Sequence, residues 1–318
     1  MAGFFGLFDF TKPGKGVDVN APPKKAFFRF WELYWRKFSR FILLNLLAFL
    51  FLLPIVTLAF QAFNAWLYGM MSESAITEML LGAEEGENTI VFGILQSILM
   101  SASFSLPAPV ALFLLAISVV FYGPAMCGMT YILRNFSREE HAWLSDFFVQ
   151  MKKNFAQGVA LGLLELLAIS LLFFNITTQA VEDAGWLSAS LPLIQYISIF
   201  LLVIILFTRQ YTYAMAVTFD LKFPVIIKNS FAFAFIGLFR NIGVLLFQAA
   251  LIFAVLFVPY ADIILMPFFF FSLTGFLAIF ATFPLINKHM LLPAMERKRA
   301  AEEAGEQDKE TDNGEGPA

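Results

Sequence analysis

At 318 residues, with 59% hydrophobic and only 14% charged side chains, the chain is too apolar for water, because a soluble domain carries about a quarter charged residues. Its net charge of -3 supplies no basic footprint for nucleic acid, and the 41 Phe suit lipid tails better than an aqueous surface. A lone cysteine, Cys127, excludes an internal disulfide, and two distant histidines, His141 and His289, cannot build a zinc site alone, so no cofactor is expected.

The stretch Met1 to Phe10 has no basic region ahead of an apolar run and no small-residue cleavage site. It reads as uncleaved, with the first span acting as the insertion signal. Residues 1-40 form an N-terminal segment in which Phe27, Phe28, Trp31, Tyr34, Trp35 and Phe38 recur at helical spacing opposite Arg29, Glu32, Arg36 and Arg40. The pattern predicts an interfacial helix, with aromatic rings in the headgroup boundary and basic side chains toward anionic lipid. Trp31, Trp35 and Arg36 are its candidate lipid or partner surface.

A helix needs about 20 apolar residues to cross about 30 Å of hydrocarbon. Residues 41-287 hold six such stretches: Phe41 to Phe63, Ala108 to Leu133, Phe155 to Asn175, Leu191 to Tyr213, Ile242 to Val258 and Ile263 to Leu285. The expected fold is an all-α, polytopic membrane helix bundle. With these spans, all 21 Lys and Arg fall before the first span, on alternate loops or span ends, or after the last span. The opposite loops carry only acids: Glu73, Glu78, Glu84, Glu85 and Glu87, then Glu182 and Asp183, then Asp262. Lys and Arg stay cytoplasmic, so both termini are expected inside. The apolar run Thr89 to Ser103 is short for a crossing and reads as a helix at or dipping into the outer leaflet.

Between the second and third spans, Ser137 and Glu140 have the spacing of a capping box. Trp143, Leu144, Phe147, Phe148, Met151 and Phe155 then form an apolar stripe, which predicts a second helix along the membrane. Trp143, Phe147 and Met151 are its candidate lipid-facing or partner-docking residues. Phe223 to Arg240 reads as a third surface helix, and residues 288-318 form a charged tail expected to be largely disordered.

Glu165 lies about ten residues into the third span among Leu163, Leu164, Leu166 and Leu167. A carboxylate at that depth costs several kcal/mol unless protonated, paired or facing a polar cavity, so it is the leading candidate site. Gly158, Gly162 and Glu165 share one helix face, which should pack against another helix. Asn45, Arg209, Gln210 and Gln248 are the possible polar partners, Arg209 foremost, because the third and fourth spans should run antiparallel side by side. Two readings stay open: a buried polar clamp, or a transport or proton-relay site. Gly123 and Pro124 predict a bend in the second span.

No GxxxxGK[ST] phosphate loop, HExxH, CxxC or GxSxG motif occurs, so no ATP motor and no enzyme are expected. The string LLNLLAFLFLLPIVTL at Leu43 to Leu58 resembles the opening span of the YesL-like family of uncharacterised bacterial membrane proteins. Lys152 to Gln157 and Arg209 to Asn229 are similar to two further passages of that family. Members are often encoded beside carbohydrate-uptake permeases and polysaccharide-degrading enzymes, so the resemblance implies an accessory role in sugar import at the bacterial plasma membrane. The chain lacks the EAA-type coupling loop of an importer permease, which argues against its being the permease. The expected function is a non-enzymatic accessory or scaffold protein, partnered by the bilayer and by a transporter complex or a second copy of itself. The alternative is a small secondary transporter or channel built on Glu165.

Overall fold

The computed structural model describes residues 24-70, 108-178, 186-258, 261-297 and 299, which are helices and short connections with no strand among them. In chain order the helices are α1 (Ala26–Arg36), α2 (Phe38–Met70), α3 (Ala108–Ser137), α4 (Leu144–Lys153), α5 (Phe155–Thr177), α6 (Trp186–Thr218), α7 (Phe223–Ile236), α8 (Leu238–Phe257) and α9 (Ala261–Arg297). Six of them, α2, α3, α5, α6, α8 and α9, are long and apolar enough to cross a membrane. These match the six stretches expected from hydropathy. Thr89 to Ser103, the acidic loops between the first and second spans and between the third and fourth, the first 23 residues and the tail from Ala300 lie outside the described residues, whereas residues 288-297 of the expected tail continue α9 as helix.

Several helices outrun the bilayer. At 1.5 Å per residue, the 30 residues of α3 and the 33 of α6 reach about 45 and 50 Å, against about 30 Å of hydrocarbon. Their first halves present mostly exposed apolar side chains, such as Leu112 and Phe113 on α3 and Leu193 and Phe200 on α6. Their second halves are where the core sits: Ile132, Leu133 and Phe136 of α3 and Tyr211 and Met215 of α6 are fully buried, together with Phe41 and Leu44 of α2 and Phe276 and Ile286 of α9. Most Lys and Arg of the described residues gather at this end of the bundle, which we call the basic end.

Polar side chains close the helices there. The Arg134 guanidinium donates to the Val217 carbonyl and the Thr218 hydroxyl, each at 3.0 Å, capping the C-terminus of α6 where orphan carbonyls and the helix dipole favour a cation. Asn241 of α8 accepts from the Tyr211 hydroxyl at 2.8 Å and donates to the Ala234 carbonyl at 2.9 Å, which fixes the break between α7 and α8 at Gly237. The single surface helix expected over Phe223 to Arg240 is therefore two elements, α7 lying against α6 and the first turn of span α8.

Three local expectations are corrected. Helix α3 runs through Ser137, whose hydroxyl donates back to the Arg134 carbonyl at 2.7 Å, so Ser137 and Glu140 form no capping box. The following helix starts at Leu144, where the Asp146 carboxylate accepts the Trp143 amide at 2.9 Å. Phe147 is fully buried beneath that helix rather than presented to lipid, because α4 seats on Gly128 of α3, where any side chain would collide with the Phe147 carbonyl oxygen. Trp143 is exposed and Met151 half-buried, as a surface helix requires. Asp262, expected in an outer loop, is buried in the first turn of α9, where the dipole favours a carboxylate.

Helix α1 is docked against protein on one side and leaves Phe27, Phe28 and Trp35 exposed on the other. Phe30, Leu33 and Tyr34 are buried, with Phe30 stacked on Phe276 at 5.1 Å and Tyr34 on Phe41 at 4.5 Å, while Trp31 is half-buried and Trp35 and Arg36 are exposed. Its outer edge is tied by Glu139, whose carboxylate accepts from Arg36 at 2.8 Å and Arg29 at 3.3 Å. Glu139 has φ 61, the left-handed residue that ends α3: its amide bonds the Phe136 carbonyl and the next amide, Glu140, bonds the Asn135 carbonyl. Glycine is the usual occupant, and a side chain there costs about 1–2 kcal/mol. What glutamate adds is the bridge to α1.

The Arg36 hydrogen bond, ahead of the Arg36 and Arg29 charges, holds the Glu139 carboxyl below the usual carboxylate range. A depressed folded pKa means that the bridge stabilises fully above the unfolded value of about 4.3 and is lost as pH falls through the folded one. Glu139→Gln, which keeps the backbone and removes the charge, is expected to lower stability by about 0.5–1 kcal/mol at pH 7, because the pair is half exposed. Paired thermal melts in mild detergent check it: the difference between the two chains should shrink as pH falls below about 4.3.

Candidate functional site

The face of α5 that carries Gly158, Gly162 and Glu165 packs on α3, as the spacing predicts, and its counterpart is Gly123-Pro124. A Cβ on Gly162 would lie 2.7 Å from the Gly123 nitrogen, and one on Gly158 would lie 2.8 Å from the Pro124 nitrogen. Backbone therefore meets backbone, a contact only glycine permits. Gly123 and Pro124, expected as a bend, act as the seat for α5.

One turn beyond this contact Glu165 meets its partners. Its Oε1 accepts from the Tyr122 hydroxyl at 2.7 Å and from Arg209 Nε, and its Oε2 accepts from the Tyr213 hydroxyl at 2.6 Å. Arg209 Nη2 also donates to the Tyr122 hydroxyl at 3.3 Å. The quartet joins α3, α5 and α6. Both carboxylate oxygens are occupied and the charge is neutralised, so the site has the chemistry of a satisfied clamp rather than of an acid or base waiting for a substrate. Glu165 is 8% exposed and Arg209 31%, the guanidinium reaching outward from the contact.

Arg209 borders two cavities. On the outward side is a crevice of about 480 Å³ lined by Leu161, Leu164, Leu201 and Ile205 together with Glu165, Arg209 and Lys228. On the inner side is a chamber of about 60 Å³ lined by Gln210, Gln248, Thr130 and Thr274. Among the described residues, neither side-chain amide atom of buried Gln210 has a hydrogen-bond partner. A chamber this size has room for water, and its polar lining suits it.

Of the expected partners, Arg209 is brought to Glu165, while Gln210 and Gln248 face the inner chamber. Asn45 is elsewhere, so its place in the intramembrane site is corrected. Its amide nitrogen donates to the Met266 and Pro267 carbonyls at 2.7 and 2.6 Å, and its oxygen accepts the Ser272 amide at 2.8 Å. It thereby satisfies backbone groups around the π-helical turn Met266–Phe270 in α9. Tyr122 and Tyr213 were not expected at the site. Tyr213 lies four residues after Arg209 on the same face of α6, which is the signal that could have found it. No group of three or more His, Cys, Asp or Glu able to hold a metal occurs among the described residues.

No curated protein and no solved structure matches the chain. A family model described as "Protein of unknown function, DUF624" matches residues 88–176, a segment that contains Tyr122, Gly123, Gly158, Gly162 and Glu165 and stops short of Arg209, so this stretch of a multi-pass, helical membrane protein is similar to a family of unknown function.

Proposed function

We propose that the chain is a non-enzymatic accessory or scaffold protein of the plasma membrane, with both termini on the cytoplasmic side that its Lys and Arg define. The observation that carries this reading is the saturation of Glu165 by Tyr122, Arg209 and Tyr213, beside a backbone-to-backbone contact of α3 and α5. A transported ion or proton needs a carboxylate that can change partners. This one holds three helices together. The exposed Trp143, just ahead of α4, and Phe148 and Val149 of α4 offer a surface for a membrane partner. The link to a carbohydrate importer draws its support from the YesL-like resemblance alone.

A second reading, a small secondary transporter or channel, is favoured by one observation: the unpartnered Gln210 amide in the chamber beside Arg209. Thr274→Cys in a Cys127→Ser background places a thiol in that chamber. Protection from a membrane-impermeant thiol reagent on both sides of the membrane, in folded protein, is the expected result. Rapid labelling would put an aqueous path at the bundle centre and support the transporter reading instead.

A further inference from the structure

At the basic end a cleft of about 750 Å³ opens between α1, the α3–α4 connection, the start of α8 and the end of α9. Four cations line it, Lys24, Arg29, Arg138 and Arg240, and among the described residues no carboxylate does. We infer that this cleft binds a phosphate-bearing anion, supplied in the membrane by the headgroup of an anionic phospholipid.

The cations have partners that leave them donors to spare. Lys24 pairs with Glu32 at 2.8 Å, Arg29 uses Nη2 on Glu139 at 3.3 Å, Arg138 uses Nη2 on Glu140 at 2.8 Å, and Arg240 uses Nη1 on the Ala281 carbonyl at 3.2 Å. A guanidinium carries five N–H donors in a fork that fits phosphate oxygens, so one bond from each Arg leaves most of the fork in place. The ion pairs are half exposed and weak, and a phosphate in their midst, accepting charge-assisted hydrogen bonds from several cations at once, competes with them.

Size and lining narrow the ligand. The volume lies within the range of small-molecule sites and far exceeds a bare phosphate, so the group that enters carries more than the anion. Ser137 and Asn287 stand beside the cations as neutral partners for hydroxyls, and the Ser137 oxygen, which donates to the Arg134 carbonyl, keeps its lone pairs. Phe280, Phe283 and Pro284 of α9 form an apolar wall near the end of that span. Phosphate against guanidinium, hydroxyls against Ser137 and Asn287, and a glycerol backbone against the phenylalanines describe a phospholipid headgroup at the interface.

The test uses the full chain in nanodiscs and a pair of variants. Lys24→Gln with Arg240→Gln empties two corners of the cleft and leaves the Arg29 and Arg138 bridges intact. Lys152→Gln with Lys153→Gln removes the same charge from an exposed site outside it. Phosphatidylglycerol retained after extraction is counted by native mass spectrometry, with phosphatidylcholine discs as reference. Retention is expected to fall about thirtyfold for the cleft variant, from about 1 kcal/mol for each of the two cations withdrawn from the headgroup, and less than twofold for the control, whose lysines stand outside the cleft. Glycerol 1-phosphate supplies the other arm: if it raises the melting temperature in phosphatidylcholine discs, and the cleft variant abolishes that rise, the ligand is a soluble phosphate. Equal losses in both variants, or none in either, together with no response to glycerol 1-phosphate, would overturn the inference.

Discussion

Glu165→Leu is expected to leave little folded protein, and adding Arg209→Met to it is expected to restore part of what was lost. Removing the carboxylate alone leaves the Arg209 guanidinium without its counter-charge and deprives two phenols, Tyr122 and Tyr213, of their acceptor. Breaking one side of a buried ion pair costs about 3–5 kcal/mol, a large part of the 5–15 kcal/mol by which a typical protein is stable. Replacing both partners by apolar groups of similar volume is often close to neutral, because the desolvation of two charges disappears with their attraction. The double variant should therefore fall far short of the sum of the single losses, as it must for residues in direct contact. Monodisperse yield by size exclusion and the melting temperature in mild detergent measure this. If the Glu165→Leu chain assembled and melted normally, the clamp would be wrong and the carboxylate would have to serve flux.

The coarse architecture was readable because lipid imposes a simple rule. Every span must bury its own backbone hydrogen bonds, so hydropathy marks the helices and the distribution of Lys and Arg separates the loops. Glu165 and Arg209 could be paired in advance because consecutive spans lie side by side, and the glycines one turn away fixed which face of α5 was involved. That Gly123-Pro124 would be their seat was not readable, since nothing local tells a seat from a bend.

Where sequence reasoning failed, the partner was backbone or protein that leaves no local mark. Asn45 looks like any polar residue in an apolar run, and its acceptors exist only because α9 takes a π-helical turn around Pro267. Phe147 sits at the right spacing for a lipid-facing stripe, but α4 is turned so that this residue enters the core beside Gly128. Ser137 and Glu140 have the spacing of a helix start, yet they belong to a helix end, because α3 runs past the hydrocarbon and is supported there by α1 and α6. Periodicity reports an apolar face without saying whether lipid or protein covers it.

The contact of α3 with α5 gives the sharpest contrast between chemically identical changes. Gly123→Ala places a methyl group on the Gly158 carbonyl, with the Gly162 nitrogen 3.0 Å away, whereas Gly243→Ala on α8 meets nothing within 4 Å. Neither obstacle at Gly123 is a side chain that can rotate aside, so the two helices must separate. Overpacking of a core costs about 1–3 kcal/mol when side chains can adjust, and a backbone obstacle puts this change at or above the upper end. Separation also draws Tyr122, the neighbouring residue, away from Glu165, so the steric cost and the loss of the polar clamp add. Gly243→Ala incurs neither cost and gains up to about 1 kcal/mol of helix propensity. Melting temperatures in the same detergent are expected to move in opposite directions, down by several degrees for Gly123→Ala and unchanged or up for Gly243→Ala. Equal melting temperatures would mean that α3 and α5 do not close on each other in the membrane, and the Glu165 quartet, which depends on that closure, would fall with it.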